Sequence, residues 1–490
     1  MKISALYRFT YIYLALPLFV FILSWLDYGF AALFSLLFAA AFYFAYPKVT
    51  EDAELFSHKS LVFLSVIAFI WCFLAGIGYF YYQSFDYHFR NAVFRDLINY
   101  DWAVYYNQAN TPLVYYMAFW LVPAGMTKFL GLFIDNQYTL FMFGNVLLLI
   151  YATIGVTLLL AHLAMALKLQ RGKQIALAVL MFIFFSGLDV IGHRYFLIVT
   201  QPFEYHFEWW ATFIQYSSIT TGMFWVFNQF IPVALLTLLI YNERKISNFG
   251  FLIALALFFS PYPAAGIGMF MMIYAGYCFC HSNNKKDFVC NEIFSLPNLV
   301  GVFWLLPLCV LYFITNSEGM DGWHYIFDFT TPQRFLLFVV LEFLLYVVIL
   351  YPQYKRDVFF NVMFFSLLLI PFLRLDQQNN FCMRASIPAI VILALFVIRF
   401  FFEQHRLHRI KTGILFGIFL IGAMTPLVEF YRGIHYTVEA KKLALVKDEI
   451  YTLNGAYIPM PEFGWDVNHQ YTAKTYRTDI FWRYIAKLRH

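Results

Sequence analysis

The chain has 490 residues, of which 62% are hydrophobic and only 12% charged, with a formal net charge of +5 and a mean hydropathy of +0.67. A soluble domain carries about 25% charged residues, so this composition excludes a water-soluble globular protein and points to an all-α polytopic membrane protein. The small net charge gives no reason to expect a nucleic-acid partner, and the chain is expected to sit among membrane lipids instead.

The first apolar run follows "MKISALYRF" directly. With no small-residue cleavage site, it is expected to remain as a span. Apolar runs occur at 9–25, 29–46, 60–82, 137–167, 174–192, 218–241, 248–261, 264–281, 297–315, 334–352, 358–373, 387–402 and 412–428, about thirteen spans in all. Several are shorter than the ~20 residues a straight crossing needs. The links "KLQRGK" (168–173), "NERK" (242–245), "NNKKD" (283–287), "YKRD" (354–357) and "EQHRLHRIK" (403–411) are short and basic, and all fall on one side of this count. Together with "PKVTEDAELFSHK" (47–59) they mark the cytoplasmic face. The expected organisation is a transmembrane domain over 1–428 and an extracytoplasmic C-terminal tail over 429–490.

One further apolar segment, "TPLVYYMAFWLVPAGMTKFLG" (111–131), would invert every later basic link if it were a span. It reads as an interfacial or re-entrant helix interrupted by Pro123 and Gly125. The loop 83–136 then faces outward, as do 193–217, 316–333 and 374–386. Charge is concentrated there: "QSFDYHFRNAVFRDLINYDW" (83–102) holds Asp86, His88, Arg90, Arg95, Asp96 and Asp101. The aromatic content of 22% suits both membrane interfaces and stacking surfaces for sugars. The six cysteines form no paired framework. Cys278 and Cys280 read either as a metal pair or as lipid-embedded bystanders, the latter being the plainer account.

A span, two helices along the outer surface and a returning span resemble the common module of the GT-C glycosyltransferases, which use polyprenyl-phosphate-linked sugars. "DYHFRNAVFRDL", "DWAVYY", "LVYYMAFWLVPAGMTKFLG" and "NNFCMRASIPAI" are similar to bacterial surface-polysaccharide enzymes of that superfamily, the O-antigen (lipopolysaccharide) glucosyltransferases among them. The match covers about 60–167 in its motifs and the rest in layout. The resemblance implies a GT-C-like fold in the bacterial cytoplasmic (inner) membrane, with the active site on the outer face. It also implies inverting transfer from a polyprenyl-phosphate sugar donor to a lipid-linked glycan acceptor.

That reaction needs a base, cations for the departing phosphate, and surfaces for sugar and lipid. Asp86, just after a span, is the expected general base, with Asp96 as the other candidate. Asp86 and Arg90 lie one helical turn apart, so a plain salt bridge between them is the structural alternative. Arg90, Arg95, Arg194 and Arg384 are candidate phosphate ligands because a guanidinium binds phosphate bidentately, although snorkelling to lipid headgroups would also explain them. His88 is a further phosphate candidate or an ordinary interfacial histidine. In "FEYHFEWW" (203–210), Glu204, His206, Glu208, Trp209 and Trp210 are candidates for the acceptor sugar. The same Glu–His–Glu alternation could hold Mn²⁺ or Mg²⁺, or form part of an interfacial belt. No cofactor is required by this reading. Two other readings share these features. One is an O-antigen or capsule polymerase; the other is a lipid-linked oligosaccharide flippase, for which "SPYPAAG" (260–266) would be a broken helix.

Overall fold

The computed structural model describes residues 1–47, 53–84, 86–196, 206–316, 324–328, 330–375, 379–404, 407–439, 452–454, 459–460, 465–466, 470–473 and 476–487. Long apolar sequence can satisfy its backbone without water only as helix, and helix dominates here. In chain order the chain forms α1 (Ile3–Trp25), α2 (Tyr28–Ala45), α3 (His58–Leu74), α4 (Asp86–Asn99) and α5 (Ala118–Leu130). They are followed by α6 (Gln137–Ala166), α7 (Gly172–Ile183), α8 (Asp189–Tyr195), α9 (Ile219–Glu243), α10 (Phe249–Phe259) and α11 (Pro261–His281). Later helical stretches cover Leu296–Phe313, Pro332–Tyr354, Val358–Phe372, Ile387–Gln404 and Arg409–Glu439.

Among the described residues nine of these helices are long and apolar enough to cross a membrane: α1, α2, α6, α9, α11, Leu296–Phe313, Pro332–Tyr354, Ile387–Gln404 and Arg409–Glu439. The protein is therefore an all-α, multi-pass membrane protein. Four shorter apolar helices, α3, α7, Ile246–Phe259 and Val358–Phe372, lie where the sequence predicts further spans.

The helices order the links into two ends. At one end the Ser247 N–H donates to Glu292 and its carbonyl accepts from Ser295 Oγ, while the Asn248 side chain donates to the carbonyl of Ala45 at 3.0 Å. Tyr354 donates to Glu403 at 3.1 Å, and Arg399 donates to Tyr241 and to the Ala166 carbonyl at 2.6 and 2.8 Å, so the links that follow these four helix ends lie together. At the opposite end the 26–27 link pairs with the chain terminus: Asp27 N–H donates to Ile485 and Lys487 N–H donates to Trp25, at 2.8 and 2.7 Å. The loop around α4 and α5 also lies at this end, where Val114 N–H donates to Tyr471 at 2.9 Å.

α9 is the axis. Its apolar window is 94% buried, which leaves no face for lipid. α1, α5, α6, α10, α11 and the helix Ile387–Gln404 pack around it. α2, by contrast, turns most of its surface outward, as a peripheral helix in lipid would.

Several predicted boundaries are corrected. The span expected over 60–82 ends at Leu74, because the chain turns back through Gly76 and Gly78, both at positive φ (78° and 89°). The run 174–192 stops at Ile183, whose carbonyl accepts from Thr220 Oγ1 at 2.6 Å, and resumes as the separate α8. Pro123 and Gly125 do not interrupt a helix. They lie inside α5, whose 13 residues reach about 20 Å, too short to cross. The residues before it instead form a hairpin of β1 (Tyr105–Tyr106) and β2 (Thr111–Pro112). The tail does not begin at 429 either: after a break at Ala423 the last helix continues from Met424 to Glu439.

α11 approaches the loop end through Gly266. A Cβ there would stand 2.1 Å from the carbonyl oxygen of Ala385. Gly266→Ala should therefore push the 380–385 segment outward, lowering stability by about 1–3 kcal/mol. The measurement is thermal unfolding of the purified protein in detergent, and an unshifted midpoint would show that the helices slide apart without strain.

Candidate active site

The site grows from a break in α9. Val226 has φ −138° and ψ 39°, outside helical values, and Pro232 removes the N–H that Asn228's carbonyl would otherwise use. At the break the Trp225 carbonyl accepts a hydrogen bond from Arg90 Nη1. Arg90 projects from α4, is 3% exposed, and donates from Nη2 to Asp86 Oδ2 at 3.0 Å. The i, i+4 spacing places both on one helix face, while the Asp86 side chain stays 45% exposed.

Three tyrosines from two separate parts of the chain join this pair. Tyr115 and Tyr471 pack at 4.5 Å between centroids, and Tyr115 and Tyr116 at 3.9 Å. Arg384 Nη1 donates to the Tyr116 hydroxyl at 2.8 Å. Tyr115 lies within electrostatic reach of both Arg90 and Arg384, and Tyr471 within reach of Asp86 and Arg90. Asp86, Arg90 and Arg384, predicted from distant stretches, thus come together around one tyrosine cluster. Arg90 Nε has no partner among the described residues.

On the far side of Trp225 stands a second polar cluster. Trp225 Nε1 donates to Glu429 Oε2 at 3.1 Å. Glu429 Oε1 meets Arg432 Nη1 at 3.2 Å and His206 Nδ1 at 2.9 Å, and His206 Nε2 meets Glu208 Oε2 at 3.4 Å. Glu208 also accepts from the backbone N–H of Ser218 and from Gln215 Nε2, both at 2.8 Å. Burial alone would lower the basicity of His206, but Glu429 and Glu208 outweigh it and raise its pKa to about 9. Deeper still, Asp189 accepts from Ser186 and Thr425, at 2.9 and 3.0 Å, and lies against Glu342. Burial and then the charge of Glu208 push Asp189 up to about 6. Glu342 sits in a π-helical turn, a helix distortion common at functional positions, and accepts from Trp210 Nε1 at 3.3 Å.

Several predicted roles are corrected by position. Asp96 is fully buried, accepts from the Tyr106 hydroxyl at 3.0 Å and from the Leu453 N–H at 2.9 Å, and so anchors the tail instead of facing a substrate. Trp210 is also fully buried and cannot stack on a sugar, whereas Trp209 is 41% exposed. His206 and Glu208 are buried as an ion pair, so neither presents its side chain to an acceptor directly. His88 and Arg194 are exposed, and Arg95, five residues after Arg90, projects from another face of α4. Glu204 lies outside the described residues. Among the described residues no group of three or more His, Cys, Asp or Glu side chains is arranged to hold a metal.

Sequence reasoning missed Trp225, Glu429, Arg432, Asp189, Glu342 and the tyrosines. A signal existed for some of them. Asp189 and Glu342 are isolated acids inside predicted spans, and such residues are retained in apolar segments only with a partner or a task. Glu429 and Arg432, three apart in "VEFYRG", form a helical pair that placing them in a tail concealed.

The chain matches no family model, no curated protein and no solved structure.

Burial raises Asp96 from its ordinary 3.8 to about 6, more than its hydrogen bonds lower it. A carboxyl that binds its proton more tightly when folded loses stability as pH rises between those two values. Thermal stability should therefore fall from pH 4 to pH 6 in the native chain, and Asp96→Asn should remove this component. Asp96→Ala should instead release the tail, read as faster hydrogen exchange at the Leu453 amide. Unchanged exchange would mean that the tail is held without Asp96.

Proposed function

We propose that this protein is a glycosyltransferase that moves a sugar from a polyprenyl-phosphate-linked donor to a lipid-linked glycan at the outer face of a bacterial cytoplasmic membrane. The observation that carries this reading is the convergence of the half-exposed Asp86 carboxylate with two guanidiniums, Arg90 and Arg384, around the rings of Tyr115, Tyr116 and Tyr471. In the reaction, Asp86 takes the proton of the acceptor hydroxyl while its oxygen attacks the anomeric carbon from the side opposite the phosphate. The bond from that carbon to the phosphate oxygen breaks, and the negative charge left on polyprenyl phosphate falls to Arg90 and Arg384. One carboxylate and a single displacement invert the anomeric centre. Tyr116, the partly exposed ring of the three, supplies a face for the donor, and the buried Tyr115 and Tyr471 hold it in place.

The topology that goes with this function has thirteen crossings, the nine long helices and the four shorter ones. The basic links lie in the cytoplasm and the loop end lies outside. Cysteines placed in 168–173 and 403–411 should then be shielded from impermeant reagents in intact cells, whereas cysteines in 476–487 should react. A cytoplasmic C-terminal segment would put the site on the wrong side.

A second reading, a lipid-linked oligosaccharide flippase, draws on the buried Asp189–Glu342 pair, since acids within a membrane protein's interior often line transport paths. One assay separates the two. In proteoliposomes with polyprenyl-phosphate sugars and extracted lipid-linked glycan, transfer gives a larger glycan, whereas flipping changes only the side on which the donor is found.

Asp86→Asn keeps the shape of the side chain but accepts no proton, so transfer should fall by about 10²–10⁴ at matched protein level. Arg384→Lys keeps charge but loses the planar fork, and donor use should weaken while membrane insertion is retained. Full transfer by Asp86→Asn would end the assignment of this aspartate as the base.

A further inference from the structure

Two carboxyl groups meet deep inside the protein, those of Asp189 and Glu342, 1% and 2% exposed. Asp189 opens α8, and Glu342 lies in the π-helical turn of the Pro332–Tyr354 helix. Close backbone contact brings them together. The Leu188 N–H donates to the Leu341 carbonyl at 3.1 Å, and a Cβ on Gly187 would stand 2.0 Å from Glu342 Oε2. The two side chains hydrogen-bond to each other. The remaining hydrogen bonds to the pair come from neutral donors: the Ser186 and Thr425 hydroxyls to Asp189 Oδ2, and the Trp210 indole to Glu342 Oε1.

An ionised carboxylate has no hydrogen to donate, so a hydrogen bond between two carboxyls requires a proton on one of them. The charged neighbour that both feel is Glu208, a third carboxylate, itself paired with His206 at 3.4 Å. Two phenols also face the pair. Tyr346 donates to the Ser186 carbonyl at 2.9 Å, and Tyr216 donates to the Leu367 carbonyl. Two ionised carboxylates in such contact would repel each other strongly in a low dielectric, and a single proton between them removes the repulsion. The same contacts join distant parts of the chain. Thr425 begins the Met424–Glu439 segment, which carries Glu429 and Arg432 to Trp225.

We propose that Asp189 and Glu342 form a binding site for one shared proton, and that this proton ties the Pro332–Tyr354 helix to α8 and to the last helix. When it is released to solvent, two carboxylates are left facing each other and the tie is lost. Carboxyls of the unfolded chain ionise near pH ~4, whereas the folded pair keeps its proton to higher pH. The stability it contributes is therefore present at low pH and is lost as pH rises through the point of release. None of this depends on which reaction the Asp86 cluster performs.

The test is infrared difference spectroscopy of the purified full chain in detergent at pH 7, reading the carbonyl stretch of protonated carboxyl groups. Asp189→Asn and Glu342→Gln should each lose the intensity of one such group, and the double variant should lose no more than either alone. Loss in only one single variant would place the proton on one residue, and twice the loss in the double variant would give each acid its own. Either result would overturn the sharing, as would no loss in any variant. As pH is raised from 5 to 9, the thermal midpoint of the native chain should fall relative to that of the double variant, in step with the band. Parallel midpoints would show that the proton ties nothing together. Should an amide variant fail to fold, Trp210→Phe, which removes the indole donor to Glu342, should shift the frequency of the band in its place. A band that does not move would then end the assignment.

Discussion

The Asp86–Arg90 pair depends on one hydrogen bond, from Arg90 to the Trp225 carbonyl at the break in α9. In an unbroken helix each interior carbonyl points along the axis at the N–H four residues later, which leaves it poorly aimed at a side chain from another element. By departing from helical geometry at Val226, the most buried helix of the protein presents a main-chain acceptor to an arginine on a different element. Arg90 is in turn too deeply buried to stand without partners, so its placement depends on this carbonyl and on Asp86 together. Straighten α9 and the guanidinium loses an acceptor, which leaves Asp86 as its remaining hydrogen-bond partner.

Trp225 also divides the charge. On its carbonyl side are Arg90, Arg384 and Asp86, one positive charge in excess. On its indole side Glu429 and Glu208 meet Arg432 and His206, which is held protonated by the two carboxylates it touches. A residue with a polar group at each end and a broad apolar body can bind both sets while keeping them apart. Its ring stacks on His206 at 5.2 Å and lies beneath Arg432, which shields the Glu429 ion pairs from water.

The class of fold was legible because a composition so poor in charge, in long apolar runs, leaves the chain few alternatives to membrane helices. The loop carrying Asp86 and Arg90 was legible for the converse reason, that charge next to such runs needs a cause. What could not be read was partnership. Nothing local to "NNFCMRAS" says that Arg384 meets Tyr116, 268 residues earlier in the chain. Asp96 and Asp86 look alike in sequence, and only the tail lying on Asp96 shows that one is an anchor while the other stays half open. Trp209 and Trp210, adjacent in sequence, differ for a similar reason: one faces outward and the other plugs against Glu342. Helix ends were also misread, because capping bonds such as Thr220 to Ile183 come from another part of the chain.

The order of synthesis gives these long-range partnerships a consequence. Asp86 and Arg90 are made early, but the surfaces that enclose them come late: Arg384, then Glu429 and Arg432, and last Tyr471. Tyr471 reaches the cluster because its neighbours Thr472 and Ala473 lie along the 111–113 strand, Ala473 N–H donating to Pro112 at 3.2 Å. Contacts so distant in sequence form only after the intervening chain has been arranged, since loop closure must precede them. Arg90 has its two hydrogen-bond acceptors, Asp86 and the Trp225 carbonyl, once α9 is made. The late residues therefore enclose a charge pair that the first half of the chain already satisfies.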